Sequence, residues 1–468
     1  MFFMETIFTE GIAQLSYLIG DDSEHIAAVV DPRADVEVYL ALARKRQVAI
    51  THIFETHIHA DFMSGSRELA ARCPNAKLLL SGEGNSDYEF EHESVRDGQE
   101  FKMGSSVLRA RFTPGHTPEH LSYELCDSKA SGEPWGILTG DSLFVESAGR
   151  PDLLGSGQTE GLTQQLYETL YDYYLKFPDH VIIHPGHGAG SACGADIGER
   201  LVSTVGYERR HNSFLRQPDL EHFDKFVREG APPAPEHYFR LKKLNARGAK
   251  VIGGLPVVIG LTPDEFHRSS REPSTQIVDT RHMLAFGGGH IPKAINIGSR
   301  PELSIWAGQM LDPDDRLLLI VEHDDQLEDV VRLFVRTGFV KFAGYLVGGM
   351  TAWANAGFPI VRLPQVHVRE LKADSENGSH LQVLDVRSPE EFDKGHIPGA
   401  EHLFVADMRR RIDGLDKERP IATYCASGYR ASLASSLMQS RGFKHVSNVP
   451  GSWEAWTQAG YPVETPSS

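Results

Sequence analysis

Thr56-His57-Ile58-His59-Ala60-Asp61-Phe62 follows an apolar run, Val48 to Phe54, that reads as a buried strand. The cluster therefore sits at a strand's C-terminal end, the position at which α/β folds place their chemistry. Two imidazoles and a carboxylate within five residues are costly to bury unpaired, and a metal ion is the usual reason to gather them. The competing reading is a polar loop with two incidental histidines. Three further clusters, each at a strand end, weigh against it.

Working outward, Gln14 to Ile19 and Ala27 to Asp31 read as strands, and Val36 to Arg46 has helical spacing. Beyond Asp61, Ser64-Gly65-Ser66 leads into a helix with a serine near its cap, and strands resume at Lys77 to Leu80 and Val107 to Phe112. The second cluster, Thr113-Pro114-Gly115-His116-Thr117-Pro118-Glu119-His120, is a Pro-Gly turn directly after a strand, which leaves His116 on a loop. In the third, Gly136 to Phe144, Asp141 ends an apolar strand, a poor place for a carboxylate without a cation. The fourth, Val181 to Gly188, ends in His184-Pro185-Gly186-His187.

Four clusters in this order resemble the metallo-β-lactamase superfamily over residues 1 to about 250. The implied fold is an αββα sandwich with the metal at one edge of its two sheets. Most of that superfamily has a histidine after the motif's aspartate, which helps hold a second metal. Phe62 stands there, so a mononuclear site is expected unless another residue compensates. With Gly149-Arg150-Pro151-Asp152, the set is most similar to the persulfide dioxygenases. That resemblance implies one Fe(II) per chain on His57, His116 and Asp141, with three positions open for water, substrate sulfur and dioxygen. Two histidines and a carboxylate suit non-haem iron, and zinc also accepts three protein ligands plus water, so the residues alone leave both open.

His59, Asp61 and His187 match ligands of two-metal relatives. Around a single ion they are expected to hydrogen-bond a ligand or substrate, or merely to line the cavity. Arg150 and Asp152 are candidates for meeting a carboxylate or phosphate of a thiol carrier, against the alternative of a surface salt bridge. Cys193, in a loop of small residues, is either a reactive thiol near the metal or an inert buried one. Residues Leu201 to Phe226 read as helical, Ala231 to Pro235 as a stiff turn, and Tyr238 to Asn245 as one more helix.

The second half is an internal duplication. Gln276-Ile277-Val278-Asp279-Thr280-Arg281 matches Gln382-Val383-Leu384-Asp385-Val386-Arg387, and Gly289-His290-Ile291-Pro292 matches Gly395-His396-Ile397-Pro398. Ala352-Trp353 matches Ala455-Trp456. Both copies resemble rhodanese domains, small α/β modules with a parallel sheet. The expected organisation is thus a metallo-β-lactamase-like domain over 1–255, a rhodanese-like domain over 256–362 and a second over 363–468. Only the second has a cysteine after its strand Ile421 to Tyr424. There Cys425-Ala426-Ser427-Gly428-Tyr429-Arg430 forms a loop whose backbone N–H groups can converge on Sγ and stabilise a thiolate or a bound sulfane sulfur. A protein phosphatase loop also pairs a cysteine with an arginine, but with one more residue between them. The silent copy has Val321 or Glu322 at the matching place and is expected to act as a spacer or docking domain.

The composition fits this reading. The 468 residues exceed one core, and 47 Lys plus Arg against 64 Asp plus Glu, a formal charge of -17, argue against nucleic acid or an anionic membrane as the main partner. No apolar run reaches transmembrane length, the start Met1-Phe2-Phe3-Met4-Glu5 does not read as a leader, and four scattered cysteines make no disulfide framework. A cytoplasmic enzyme is expected, and relatives suggest a homodimer or homotetramer. The resemblance implies oxidation of a low-molecular-weight thiol persulfide by O2 to sulfite, then thiosulfate formation through Cys425 and Arg430. The alternative is a glyoxalase II-like thioester hydrolase fused to a sulfurtransferase. A third reading is a sensor or scaffold in which only Cys425 turns over.

Overall fold

The computed structural model describes residues 1–127, 133–230, 234–376 and 380–465. The chain divides into two units. One is Met1–Leu255 with the short segment Val335–Gly338, and the other is Pro256–Phe334 with Phe339–Ser468.

In the first unit, β1 (Phe2–Thr9), β2 (Gln14–Asp21), β3 (Ile26–Val30), β4 (Ala49–Phe54), β5 (Lys77–Ser81) and β6 (Glu93–Val95) form one sheet in sequence order. The first three strands are antiparallel, and β3 to β6 run parallel through the crossover helices α1 (Glu37–Arg46) and α2 (Ser66–Arg72). A second sheet takes β7 (Glu100–Met103), β8 (Ser106–Phe112), β9 (Leu121–Asp127), β10 (Pro134–Gly140), β11 (Ile182–Pro185) and β12 (Ser203–Thr204), again in order.

Strand alternation explains how the layers stack. In β2, Leu15, Tyr17 and Ile19 face inward with Phe54 and Leu79, against Leu108, Tyr123, Leu125 and Leu138 of the other sheet. Leu18 of the same strand points outward and packs with Tyr39 and Leu69 under α1 and α2. On the far side Ile137 and Ile183 pack under α3 (Ser156–Glu168) with Leu166 and Phe223. Helix, sheet, sheet, helix is the αββα order. Phe54, Phe101 and Tyr123 meet at 5.0 and 5.1 Å in the inner layer, contacts of about 0.5–1.5 kcal/mol each beyond their buried area.

Two sequence expectations change here. Leu201 to Phe226 is not one helical stretch: β12 pairs with β11, and α4 (Val205–His211) is followed by a single 3-10 turn, Ser213–Arg216, before α5 (Leu220–Gly230). The Asn212 side chain accepts from Phe214 N–H, so it caps a new turn instead of continuing the old one. Helix α2 is capped by Gly65 without a side-chain bond. Of the stiff turn at Ala231 to Pro235, residues 231–233 lie outside the described residues. The last helix of this unit, α6, spans Glu236–Arg247.

The second unit holds two parallel sheets. In the first, β14 (Thr275–Asp279) lies between β15 (Ile295–Asn296) and β16 (Arg316–Ile320), with β17 (Phe342–Leu346) and β13 (Gly260–Leu261) beyond. In the second, β18 (Gln382–Asp385) lies between β19 (Glu401–His402) and β20 (Ile421–Tyr424), with β21 (Val446–Asn448) beyond. The duplication is therefore visible in the pairing. Asp279 stands opposite Ile320, and its counterpart Asp385 stands opposite Tyr424. By that register the residue matching Cys425 is Val321. Among the described residues, no helix is long and apolar enough to cross a membrane.

Candidate metal centre and cysteine loop

Every residue of the candidate centre follows the C-terminal end of a strand or sits in the β8–β9 turn. His57 follows β4, His116 lies between β8 and β9, Asp141 follows β10, and His187 follows β11, which pairs in parallel with β10. His57, His116 and Asp141 offer ligand atoms within 4.8 Å of one another, all buried. Asp141 Oδ2 lies 3.7 Å from His57 Nε2 and 3.5 Å from His116 Nε2. Metal–ligand bonds near 2.0–2.2 Å put neighbouring ligands roughly 3 to 3.5 Å apart, so a small relaxation suits the trio to one ion. Asp141 Oδ2 is buried and has no hydrogen-bond partner. A cation is what satisfies it.

Partners of the other ring nitrogens orient both imidazoles. His116 Nδ1 is 2.9 Å from the Arg150 carbonyl oxygen, and His57 Nδ1 is 2.9 Å from Thr56 Oγ1, so each ring donates there and keeps an Nε2 lone pair for a metal. Thr56 Oγ1 in turn donates to Asp31 Oδ2 at 2.9 Å. Asp31, which the sequence reading passed over as the end of a strand, also accepts Thr56 N–H at 2.7 Å and His59 Nε2 at 3.0 Å. It holds a positive φ of 52°, a strained backbone for a residue other than glycine. His120, another unassigned residue, accepts Asp141 N–H through Nε2 at 3.1 Å and bonds Thr113 Oγ1 through Nδ1.

Burial, with His59 and His116 next to it, pushes His57 well below its ordinary value, and burial also lowers His116, against the pull of Asp141. Both rings are neutral, as ligands must be. Burial resists ionisation of Asp141, yet His187 and His116 outweigh it and hold this carboxyl below the usual range. The surroundings leave no slack. A Cβ at Gly149 would stand 1.8 Å from the Asp141 carbonyl oxygen, and Gly140, at φ 50°, is packed against His120 and Thr56.

His59, Asp61, His187 and Cys193 lie around the trio and not within it, with His187 bonded directly to Asp141. His59 turns to Asp31 and packs at a tilt against Phe62 at 4.4 Å; burial disfavours its charge, but Asp31 and Glu55 push its pKa up to about 9. His187 bridges two carboxylates, with Nδ1 2.8 Å from Asp141 Oδ1 and Nε2 2.7 Å from Asp61 Oδ2. Asp61, His187 and Cys193 form a second buried group with ligand atoms within 4.8 Å. Burial, then Asp61 and Asp141, raise the Cys193 thiol well above its ordinary value, which keeps it protonated. Asn245 of α6 fastens the loop from the far side: its Nδ2 donates to the carbonyls of His59 and Phe62, and its Oδ1 accepts Ser64 N–H.

Arg150 is neither free nor on the surface. It is 5% exposed, and its Nε and Nη2 donate to Asp152 at 2.7 and 2.6 Å, while Nη1 is buried without a partner. A cavity of about 530 Å³ opens beside Ile58, between the two motif histidines. Leu153, Tyr88, Asp87, Lys242, Lys243 and Arg247 are among its walls. Burial lowers the pKa of Lys242 against the pull of Glu119 and Asp87.

In the second unit Cys425 directly follows β20 and is buried, and Gly428 N–H donates to its Sγ at 3.1 Å. Gly428 takes φ 110°, which turns that N–H back toward the sulfur. The helix begins at Tyr429 and runs to Ser440. Arg430 is tied in a fork to Glu391 at 2.6 and 2.7 Å, and Tyr429 Oη reaches back to the Gly298 carbonyl of the silent copy at 3.1 Å. Ala426 and Ser427 complete the turn, half-buried.

Comparison with known proteins gives the following. Residues 10–187 match the metallo-beta-lactamase superfamily, and residues 262–356 and 367–459 each match the rhodanese-like domain. The mitochondrial persulfide dioxygenase ETHE1 of Bos taurus is 27% identical over 222 residues, 47% of this chain and 78% of that protein. The cytoplasmic hydroxyacylglutathione hydrolase of Arabidopsis thaliana is 32% identical over 173 residues, 37% of this chain and 62% of that protein. A crystal structure of a metallo-beta-lactamase from Staphylococcus aureus superposes with a TM-score of 0.66 at 30% identity, covering 74% of this chain and 98% of that one.

Proposed function

Because this chain belongs to the metallo-beta-lactamase superfamily and has two rhodanese-like domains behind that fold, we propose that it oxidises a low-molecular-weight thiol persulfide with O2 to sulfite and converts sulfite to thiosulfate through Cys425. The observation that carries the first half is the trio His57, His116 and Asp141, three ligands on one side with Asp141 Oδ2 unpaired. An Fe(II) ion there would supply the redox chemistry between dioxygen and a persulfide sulfur that side chains lack.

The residues have definite tasks. Thr56 and the Arg150 carbonyl fix the ring tautomers. Lys242, Lys243 and Arg247 line the cavity where the anionic end of a carrier would rest, beside the apolar Leu153 and Ile58. The overall change balances as persulfide plus O2 plus water giving thiol, sulfite and two protons. In the second unit the Cys425 thiolate takes the outer sulfur of a persulfide, releasing the carrier thiol. Attack by sulfite on that sulfur then forms thiosulfate and restores Cys425. Gly428 N–H stabilises the thiolate in both steps.

The hydrolase likeness supports a second reading, thioester hydrolysis. That chemistry is served by two metals, and here Phe62 closes against His59 while His187 uses both nitrogens on carboxylates. An oxygen electrode decides between them. Persulfide-dependent O2 uptake by anaerobically iron-loaded protein supports the dioxygenase; thioester cleavage without O2 uptake refutes it. As the partners of this reading, a thiol persulfide, O2 and sulfite are proposed, in a homo-oligomer, with neither nucleic acid nor membrane.

A further inference from the structure

The two repeats make the same left-handed turn before their last helix, but with different residues. The silent copy has Gly348 and Gly349 at φ 69° and 56°; the active copy has Gly451 at φ 73° and then Ser452 at φ 45°. A side chain at that angle is strained, and glycine serves the silent copy without it. Ser452 is also fully buried. The strained residue stands in the copy that has the cysteine.

Its hydroxyl has two bonds. It accepts the backbone N–H of Cys425 at 3.1 Å and donates to the Val449 carbonyl at 2.6 Å. The residues on either side grip the same loop by its carbonyls: Gly451 N–H donates to Ser427 O, Trp453 N–H to Cys425 O and Glu454 N–H to Ala426 O, each at 3.0 Å. With three carbonyls drawn outward, the loop is held in the turn that aims Gly428 N–H at Sγ. Among the described residues no such bonds join Gly348–Thr351 to Val321–His323 of the silent copy.

We infer that Ser452 is a positioning residue for sulfur transfer, whose hydroxyl holds the Cys425 backbone so that the loop cradles an anionic sulfur bound to Sγ. The inference rests on Cys425 being the sulfur carrier, and the two can fail separately. Sulfur transfer that survives in Cys425→Ser removes the carrier reading. The role of Ser452 is read on Cys425 itself.

The test uses the full chain, thiosulfate as sulfur donor, and the variants Ser452→Gly and Ser452→Ala. Intact-mass measurement gives the fraction of chains with one added sulfur and its lifetime, and steady-state assays give kcat and KM. Ser452→Gly installs the silent copy's residue, and relief of the backbone offsets part of the cost of leaving Cys425 N–H and the Val449 carbonyl without this partner, so its unfolding temperature should fall less than that of Ser452→Ala. Losing one hydrogen bond to the loop should shorten the loaded lifetime and lower kcat by about three- to tenfold with KM for thiosulfate retained. Ser452→Ala should show the same loss. Parent-like lifetime and kcat in both variants would overturn the inference, as would a loss that merely follows a fall in unfolding temperature.

Discussion

Replacing Thr56 by valine keeps the shape of the side chain and removes one hydroxyl. In the structure that hydroxyl accepts from His57 Nδ1 and donates to Asp31 Oδ2, both at 2.9 Å, and all three residues are buried. The variant leaves a ring N–H and a carboxylate oxygen without these partners. At about 1–3 kcal/mol for each buried orphan, metal-free protein should lose about 2–6 kcal/mol of stability. The second effect is on the ion, because His57 is no longer held in the tautomer that presents Nε2. Loss of such an orienting partner lowers metal affinity by about 10- to 100-fold. Chelator competition at equilibrium, read by metal analysis, measures the affinity, and calorimetry of the stripped protein measures the stability. Thr56→Ser, which restores the hydroxyl, should recover most of both. Metal affinity within twofold of the parent in Thr56→Val would refute the claim that this relay sets the ligand.

Other outcomes are expected. Cys425→Ser should abolish thiosulfate formation and leave O2 uptake and sulfite release, whereas His116→Ala should empty the metal site and leave thiosulfate-dependent loading of Cys425; joint loss in either variant would contradict the division of labour. In stripped protein the His59–Asp31 pair should show a pH signature. The folded pKa of His59 is raised to about 9 from 6.5, so its contribution is complete below pH 6.5 and is lost as pH rises through about 9. Unfolding temperature should therefore fall across that window in the parent and fall less in His59→Gln; identical slopes would exclude the pair as the source. Gly149→Ala should be strongly destabilising, because its Cβ would meet the Asp141 carbonyl, and a parent-like unfolding temperature and metal content would show that this wall can yield.

The sequence exposed the candidate centre because its chemistry lies in short motifs at strand ends. His57, His116 and Asp141 each follow an apolar run or a Pro-Gly turn that a reader can find without coordinates. The repeat was legible for the same reason, since the match of Asp279 with Asp385 survives as register. What stayed hidden came from far along the chain. Asp31 reaches His57 and His59 only because β3 lies beside β4, and Asn245 meets the metal loop from a helix more than 180 residues later. Ser452 was invisible because its significance is a backbone angle, and no residue type encodes that by itself. The stretch from Leu201 failed for a local reason: Asn212 offered the backbone a side-chain bond, which ended a helix that apolar spacing alone would have continued.

The first sheet also stitches itself to the end of β11. Leu15 N–H donates to Gly186 O at 2.7 Å, Gly188 N–H donates to Ala13 O at 2.9 Å, and Tyr17 Oη donates to Pro185 O at 2.6 Å. A chain emerging from the ribosome presents Leu15 early, yet that strand waits for Gly186 before its seam can close. The opening strands, which carry no ligand, thus hold the turn that sets His187 against Asp141, and loosening them should disturb the centre without touching any of its donor atoms.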